Sequence, residues 1–278
     1  TVKPDIPVLN WVSIDNDTSI SFSFSSSLAP DMSFYNVYMA TNSGSDSLLF
    51  SIPHDSRPTY DSVIQVIDTR IDTFCIRIQA VDSCRGNRSQ KSDPHCAIQL
   101  NGVEGNLSTK LNWSPYQGWD TANYFINRVS PFDSINRKAD AWNKHFDSLN
   151  LKCNVDYEYR VLAVNPMTMD SVWSDRILLR PFDTIPPPAP KLRSIKHGIN
   201  SVTEVKWTYN QKGDSKFFEV WRNDGSGYRY MGESIYDTVF YDSMAFDKEN
   251  PPQYFVIAVD SCSSNNRSQP SDTDQVNV

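Results

Sequence analysis

Three tandem β-sandwiches are predicted for this chain by three observations. The pentapeptide Ala80-Val81-Asp82-Ser83-Cys84 recurs as Ala258-Val259-Asp260-Ser261-Cys262, and each copy runs into one shared tetrapeptide, Asn87-Arg88-Ser89-Gln90 or Asn266-Arg267-Ser268-Gln269. Self-similarity at such a period marks an array of folding units. An aromatic pair spaced by 11 residues occurs three times, as Phe24/Tyr35, Trp113/Tyr124 and Trp207/Phe218. Downstream of each pair lies an alternating run: Phe74-x-Ile76-x-Ile78-x-Ala80, Tyr157-x-Tyr159-x-Val161-x-Ala163 and Tyr254-x-Val256-x-Ala258. Apolar residues at period two define a strand with one face in a core and the other toward water.

The 278 residues suit three units of ordinary domain size. Short Val, Ile, Tyr, Phe and Trp runs are punctuated by Asn, Asp, Ser and Pro clusters, and no long helical period is present. The first unit is placed at 1–102, the second at 103–183 and the third at 184–278. A soft hand-over is expected near Asn101-Gly102-Val103-Glu104-Gly105-Asn106. The second boundary is the proline-rich Asp183-Thr184-Ile185-Pro186-Pro187-Pro188-Ala189-Pro190, expected to be extended and stiff because proline restricts φ and donates no backbone hydrogen bond. No run of 18 apolar residues is present to cross a membrane. Thr1-Val2-Lys3-Pro4 does not read as a signal peptide, so a mature form or a fragment is expected.

A Trp on the second strand, a Tyr on the third and a Tyr-x-Tyr-x-Val-x-Ala strand near the end together resemble fibronectin type III domains, a form of immunoglobulin-like β-sandwich, over nearly the whole chain. The resemblance implies an all-β fold with Trp113 and Trp207 buried on second strands and Phe24 in their place in the first unit. Tyr157 would be the corner tyrosine whose hydroxyl bonds backbone, with Phe74 and Pro252 at the aligned positions. Ala-Val-Asp-Ser-Cys followed by Asn-Arg-Ser, and Leu111-Asn112-Trp113-Ser114-Pro115-Tyr116-Gln117-Gly118-Trp119-Asp120, are similar to repeats of large surface proteins that gliding bacteria export by the type IX secretion route. That likeness implies a secreted, cell-surface localisation and a role in adhesion or gliding motility.

The five cysteines contain no Cys-x-x-Cys pair, and no His stands at metal-ligand spacing, so disulfides are favoured over a metal site. Five free thiols are the alternative. In a tandem of such sandwiches, the loop before the sixth strand faces the next domain and the loop after it faces the previous one. On that placement Cys153 is expected to bridge to Cys262, Cys84 to pair with Cys96, and Cys75 to be left over.

Asp followed by Ser or Thr and a small or aliphatic residue recurs with the hydroxyl at Ser47, Ser62, Thr121, Ser134, Ser148, Ser171, Thr184, Thr238 and Ser243. The pattern resembles an O-glycosylation acceptor of the same bacterial group, implying a glycoprotein. It reads equally as turn chemistry at strand starts. The Asn-x-Ser/Thr sequons at Asn16, Asn87, Asn106, Asn112 and Asn266 would matter only in a eukaryotic host.

No catalytic motif, cofactor loop or metal site is expected. The four histidines are scattered over three units, and neither a Gly-x-Ser-x-Gly elbow nor a phosphate-binding glycine loop occurs. Asp15-Asn16-Asp17 lacks the frame of a calcium loop and reads as a turn. A net charge of −7 argues against nucleic acid and anionic membrane surfaces. Protein or glycan partners at the cell surface, or neighbouring domains of a longer chain, remain, with Trp119, Trp142 and Trp173 outside the aligned core as possible contact residues. Two roles follow: a semi-rigid, non-catalytic spacer and adhesive segment, or a dedicated binding subunit or receptor-like ectodomain that docks one protein partner at an interdomain elbow. Accessory modules of a larger secreted glycan-active enzyme belong with the second.

Overall fold

The computed structural model describes residues 3–41, 45–84, 86–129, 134–141, 143–198, 202–210, 215–235, 237–245 and 249–275. Residues 3–97 form the strands β1 (Val8–Asn16), β2 (Ser19–Ser25), β3 (Met32–Ala40), β4 (Ser47–Pro53), β5 (Thr59–Gln65), β6 (Cys75–Asp82) and β7 (His95–Cys96). They make two sheets, ordered β1-β2-β5 and β4-β3-β6-β7. The second set is β8 (Leu100–Gly105), β9 (Ser108–Trp113), β10 (Asn123–Val129), β11 (Ser134–Lys138), β12 (Lys144–Asp147), β13 (Tyr157–Val164), β14 (Ser171–Trp173) and β15 (Ile177–Leu179). Its sheets run β12-β9-β8 and β11-β10-β13, with β14 and β15 both pairing β13.

The third set is β16 (Lys191–His197), β17 (Thr203–Thr208), β18 (Ser215–Asn223), β19 (Tyr228–Ser234), β20 (Val239–Asp242), β21 (Gln253–Asp260) and β22 (Asp274–Gln275), in sheets β16-β17-β20 and β19-β18-β21-β22. Every strand pairing is antiparallel, and each sandwich joins a first-second-fifth-strand sheet to one built on the third and sixth strands, the fibronectin type III arrangement. Residues 1–181 make one compact unit of two sandwiches, and 182–278 make a second of one.

The aromatic pairs at 11-residue spacing form the centre of each core. Phe24 lies 5.0 Å from Tyr35, Trp113 5.7 Å from Tyr124 and Trp207 5.3 Å from Phe218, centroid to centroid. All six are buried. On β13, Tyr157, Tyr159, Val161 and Ala163 point inward while the residues between them reach the outer face. The Tyr157 hydroxyl accepts the Lys152 N–H at 2.7 Å, as a corner tyrosine does.

The hand-over between the first two sandwiches lies earlier than 102/103. Ala97 belongs to the first core and Ile98 to the second, and β8 already pairs with β9 from Leu100 to Gly105. The alternation of β8 is weak, since only Leu100 of its six residues is buried, so periodicity could not place its start.

A buried polar set distinguishes two sandwiches from the first. In the second, Arg128 Nη1 meets Asp147 Oδ2 at 2.7 Å, Tyr159 donates to the same oxygen at 2.9 Å, and Thr109 donates to the Tyr159 hydroxyl at 3.1 Å. The third repeats it with Arg222 and Tyr254 on Asp242 Oδ2, at 2.7 and 2.6 Å. Strand register places Ile20, Met39, Ile64 and Ile76 at the corresponding positions of the first sandwich. The whole set is therefore exchanged for hydrocarbon, which keeps any single charge from being stranded in a core.

The repeated tetrapeptide also has a backbone role. Past β6 and β21 the chain meets Pro94 and Pro270 and pairs as strand only briefly, leaving N–H groups of β6 and β21 without a full ladder. Serine hydroxyls replace it. Ser89 accepts from Ala80 and Ser92 from Ile78; Ser268 accepts from Ala258 and Ser271 from Val256, all at 2.9–3.0 Å. Ser174 does the same for Val161 in the second sandwich. The aspartate of the repeated pentapeptide caps the loop that follows: Asp82 Oδ1 accepts the Asn87 N–H and Asp260 Oδ1 the Ser263 N–H.

Removing one partner of the buried set is costly, whereas removing all of it is not. Asp147→Ala should destabilise the second sandwich by about 3–5 kcal/mol in urea unfolding, because Arg128 and the Tyr159 hydroxyl lose the buried carboxylate oxygen they share. The combined Thr109→Ile, Arg128→Met, Asp147→Ile, Tyr159→Ile variant should stay within about 1–2 kcal/mol of the parent or exceed it.

Candidate functional site at the joint of the first two sandwiches

The loop between β9 and β10 carries Tyr116, Gln117, Gly118 and Trp119 onto the first sandwich. Tyr116 is 5% exposed; its hydroxyl accepts the Val12 N–H at 2.8 Å and lies 2.9 Å from His95 Nδ1. Burial lowers the His95 pKa to about 4, so the ring is neutral near pH 7. The Tyr116 N–H donates in turn to the Tyr124 hydroxyl at 2.8 Å, tying the joint to the second core. Gln117 O accepts the Cys96 N–H at 3.1 Å. Gly118 has φ +121°, and a Cβ there would come within 2.3 Å of the His95 ring, so this approach requires glycine.

Trp119 donates its indole N–H to Asn10 O at 2.8 Å and its ring lies 4.3 Å from that of Tyr116. A second line of contacts runs from the sixth-strand side. Arg160 donates to Ile14 O at 2.6 Å and stands over the Trp173 ring, while the Trp173 N–H donates to Ser13 Oγ at 2.9 Å. Arg176 holds Asp17 through both oxygens at 2.6 and 2.8 Å, and that hydrogen-bonded guanidinium lowers the Asp17 pKa. Buried Asp175 accepts the Leu100 N–H at 2.6 Å, pinning the start of β8, and burial raises its pKa to about 7.

Two of the three tryptophans singled out from sequence therefore bear on the first sandwich, and Trp142 lies outside the described residues. The cysteine expectation needs one correction. Cys96 is bonded to Cys75, not Cys84, because Cys75 opens β6 directly opposite Cys96 on β7, with Cα atoms 4.0 Å apart. Cys84 lies past the end of β6 as a free, exposed thiol. Cys153 and Cys262 are each disulfide-bonded. Of the nine hydroxyls in the Asp-Ser/Thr pattern, Ser62 and Thr238 are half-buried and the other seven exposed, so access does not separate the glycan reading from the turn reading. Asp147 and Asp242 precede Ser148 and Ser243 as the buried partners of Arg128 and Arg222, so those two copies have a structural cause.

The histidines lie against structural partners. His54 contacts the Tyr35 and Tyr60 hydroxyls, His145 Asp140 and His197 Thr203. Asn16 Oδ1 accepts the Thr18 N–H, as in a plain turn. Among the described residues no group of three His, Cys, Asp or Glu side chains could hold a metal ion. No helix among them is long and apolar enough to cross a membrane.

No family model and no curated protein matches the chain. Among solved structures, it is similar to the FN1–FN3 domains of chicken CNTN1 at 13% identity and a TM-score of 0.29, covering 98% of this chain and 97% of that one.

The two perturbed acids at the joint oppose each other in pH. Lowering the His95 pKa from 6.5 makes stability fall as pH drops from about 6.5 to 4, and raising the Asp175 pKa from 3.8 makes it fall as pH rises from about 3.8 to 7. Between pH 4 and 6.5 folded and unfolded states thus bind equal numbers of protons at these two groups, and their contribution is flat. In Asp175→Asn the opposing slope is lost, and stability should gain about 1.4 kcal/mol per pH unit more than in the parent over that window in denaturant titrations, His145, whose pKa burial also lowers, contributing equally to both proteins. An unchanged profile would refute the pairing of these two titrations.

Proposed function

We propose that this chain is a non-catalytic, semi-rigid spacer and adhesive segment of a secreted cell-surface protein, binding protein or glycan. The carrying observation is the joint: two sandwiches share buried hydrogen bonds through Tyr116, an aromatic seal at Trp119 and an ion pair at Arg176–Asp17. A hinge would need such groups solvated, and an N–H as enclosed as that of Val12 costs about 1–3 kcal/mol to leave without a partner. Repeated sandwiches held in this way give reach and weak contacts that add through multivalency. The likeness of the Ala-Val-Asp-Ser-Cys and Trp-Ser-Pro-Tyr-Gln-Gly-Trp-Asp segments to gliding-associated repeats supports export by the type IX route and a role in adhesion or gliding. Glycans on the exposed hydroxyls of the Asp-Ser/Thr pattern would protect such a segment.

A Cys153–Cys262 bridge belongs to the same reading, supported by the oxidised state of both residues and by an extracellular compartment that preserves disulfides. It would brace the array covalently.

In backbone NMR relaxation on the full chain, amides of residues 3–97 and 98–181 should report one shared rotational correlation time. Distinct times would refute the rigid joint. Alkylation without reductant, followed by peptide mapping, should label Cys84 alone. Label on both Cys153 and Cys262 would sink the bridge.

A further inference from the structure

The third sandwich carries an aromatic row on the outer face of its four-stranded sheet. Register aligns Tyr230 on β19, Trp221 on β18 and Phe255 on β21 as direct cross-strand neighbours. The Trp221 ring lies 5.7 Å from Tyr230 and 6.0 Å from Phe255, nearly parallel to the latter, and Tyr228 adds a fourth ring 4.6 Å from Phe255. None of these rings belongs to the core, which lies on the opposite face at Phe218, Val220, Tyr254 and Val256. Tyr228 and Tyr230 are 38% and 48% exposed, and Trp221 and Phe255 half-buried.

One ladder row further on, the same face becomes polar. Tyr228, Asn223 and Gln253 stand side by side, and the two amides open into a pocket of about 650 Å³ completed by Asp224, Glu249 and Asn250. Rings beside a cleft lined by carboxamides and carboxylates are matched to a ligand with an apolar face and a hydroxylated edge. Pyranose rings with equatorial hydroxyls have that form: axial C–H bonds make a flat face for aromatic contact, and the rim offers donors and acceptors to Asn, Gln, Asp and Glu. Asp224 pairs with Arg222 and Arg229 and Glu219 with Arg267, so these arginines are already engaged by carboxylates, and with Glu233 and Glu249 nearby the face carries no excess of positive charge to favour an anionic sugar.

From this juxtaposition we infer that the outer face of the third sandwich is a binding site for a neutral, β-linked oligosaccharide, its sugar faces on Tyr230, Trp221 and Phe255 and its hydroxyls at Asn223, Asp224 and Gln253. The inference deepens the adhesive reading above by naming a ligand class and its site. It uses none of the joint residues.

Hexasaccharides of β-1,4-linked glucose and of β-1,4-linked N-acetylglucosamine, titrated into the full chain and followed by tryptophan fluorescence and by the amides of Trp221, Gln253 and Phe255, test it. At least one should bind with a dissociation constant below about 1 mM, and α-1,4-linked maltohexaose more weakly. Tyr230→Ala and Trp221→Ala should each weaken binding roughly two- to tenfold, the range expected for one aromatic contact. Tyr230 projects into solvent, so its loss leaves the core intact; Gln253→Ala provides a second variant from the polar side with the same expected direction, and it leaves in place the Asn223 oxygen that holds the Gly225 and Gly227 N–H groups of the turn. Failure of both β-linked probes to bind, binding indifferent to Tyr230→Ala and Gln253→Ala, or stronger binding of heparin hexasaccharide would overturn the site. The relaxation and alkylation results on the joint and bridge stand apart from all of these outcomes.

Discussion

A single hydroxyl, sealed from water between two sandwiches, holds the first compact unit in one arrangement. Tyr116 accepts the Val12 N–H and shares a hydrogen bond with His95 Nδ1. Burial keeps that imidazole neutral by holding the His95 pKa near 4. Gly118 follows from the same contact, because the ring beside the Tyr116 hydroxyl occupies the space a side chain would need. The indole of Trp119 reaches Asn10 only because that loop lies flat on the first sandwich. One enclosed polar contact fixes the loop, and the loop fixes the neighbouring domain.

The joint also shows why an array of small sandwiches need not be flexible. The second sandwich begins at Ile98, one residue after the first core ends, so no linker separates them. Asp175 and Ser174, adjacent in sequence, tie the start of β8 and the middle of β13 through Leu100 and Val161. Asp272 and Ser271 repeat that arrangement in the third sandwich, bonding Leu192 and Val256. A serine-aspartate pair after the sixth strand is thus a device by which each of these sandwiches closes its own sheet and secures its first strand.

Much of the fold was legible because the repeat is carried by residues whose burial is obligatory. Aromatic pairs such as Trp113 and Tyr124 meet across the core, and the inward residues of β13 alternate without interruption. What escaped was set by register rather than period. Cys75 and Cys96 are opposite one another only because a two-residue strand pairs there, and no periodicity exists in two residues. The start of β8 was hidden for a related reason, its outward face being nearly as apolar as its inward one at Val103. The role of Asp147 and Asp242 was obscured because an aspartate that caps a turn and one that neutralises a buried arginine look alike in sequence. The aromatic row of the third sandwich was overlooked because its members lie on three different strands, and only pairing brings them together.

The outer face of the sheet built on the third and sixth strands is used in three ways at one position. In the first sandwich Tyr38 faces Arg77, and Lys91 stands 3.7 Å from the Tyr38 ring, so the aromatic surface is capped by the domain's own cations. In the second, Arg160 faces Asn127 and is drawn into the joint by Trp173 and Ile14, so the face is consumed by the neighbouring sandwich. In the third, Trp221 faces Phe255, and no cation is stacked on either ring among the described residues. Cation–π contact and domain packing are the two means by which the other sandwiches remove such a surface from water. A sheet whose β21 has Phe255 where its counterparts have arginine forgoes the first. Its rings at Tyr228 and Tyr230 stay exposed, so on this sheet neither means has taken the aromatic surface out of water.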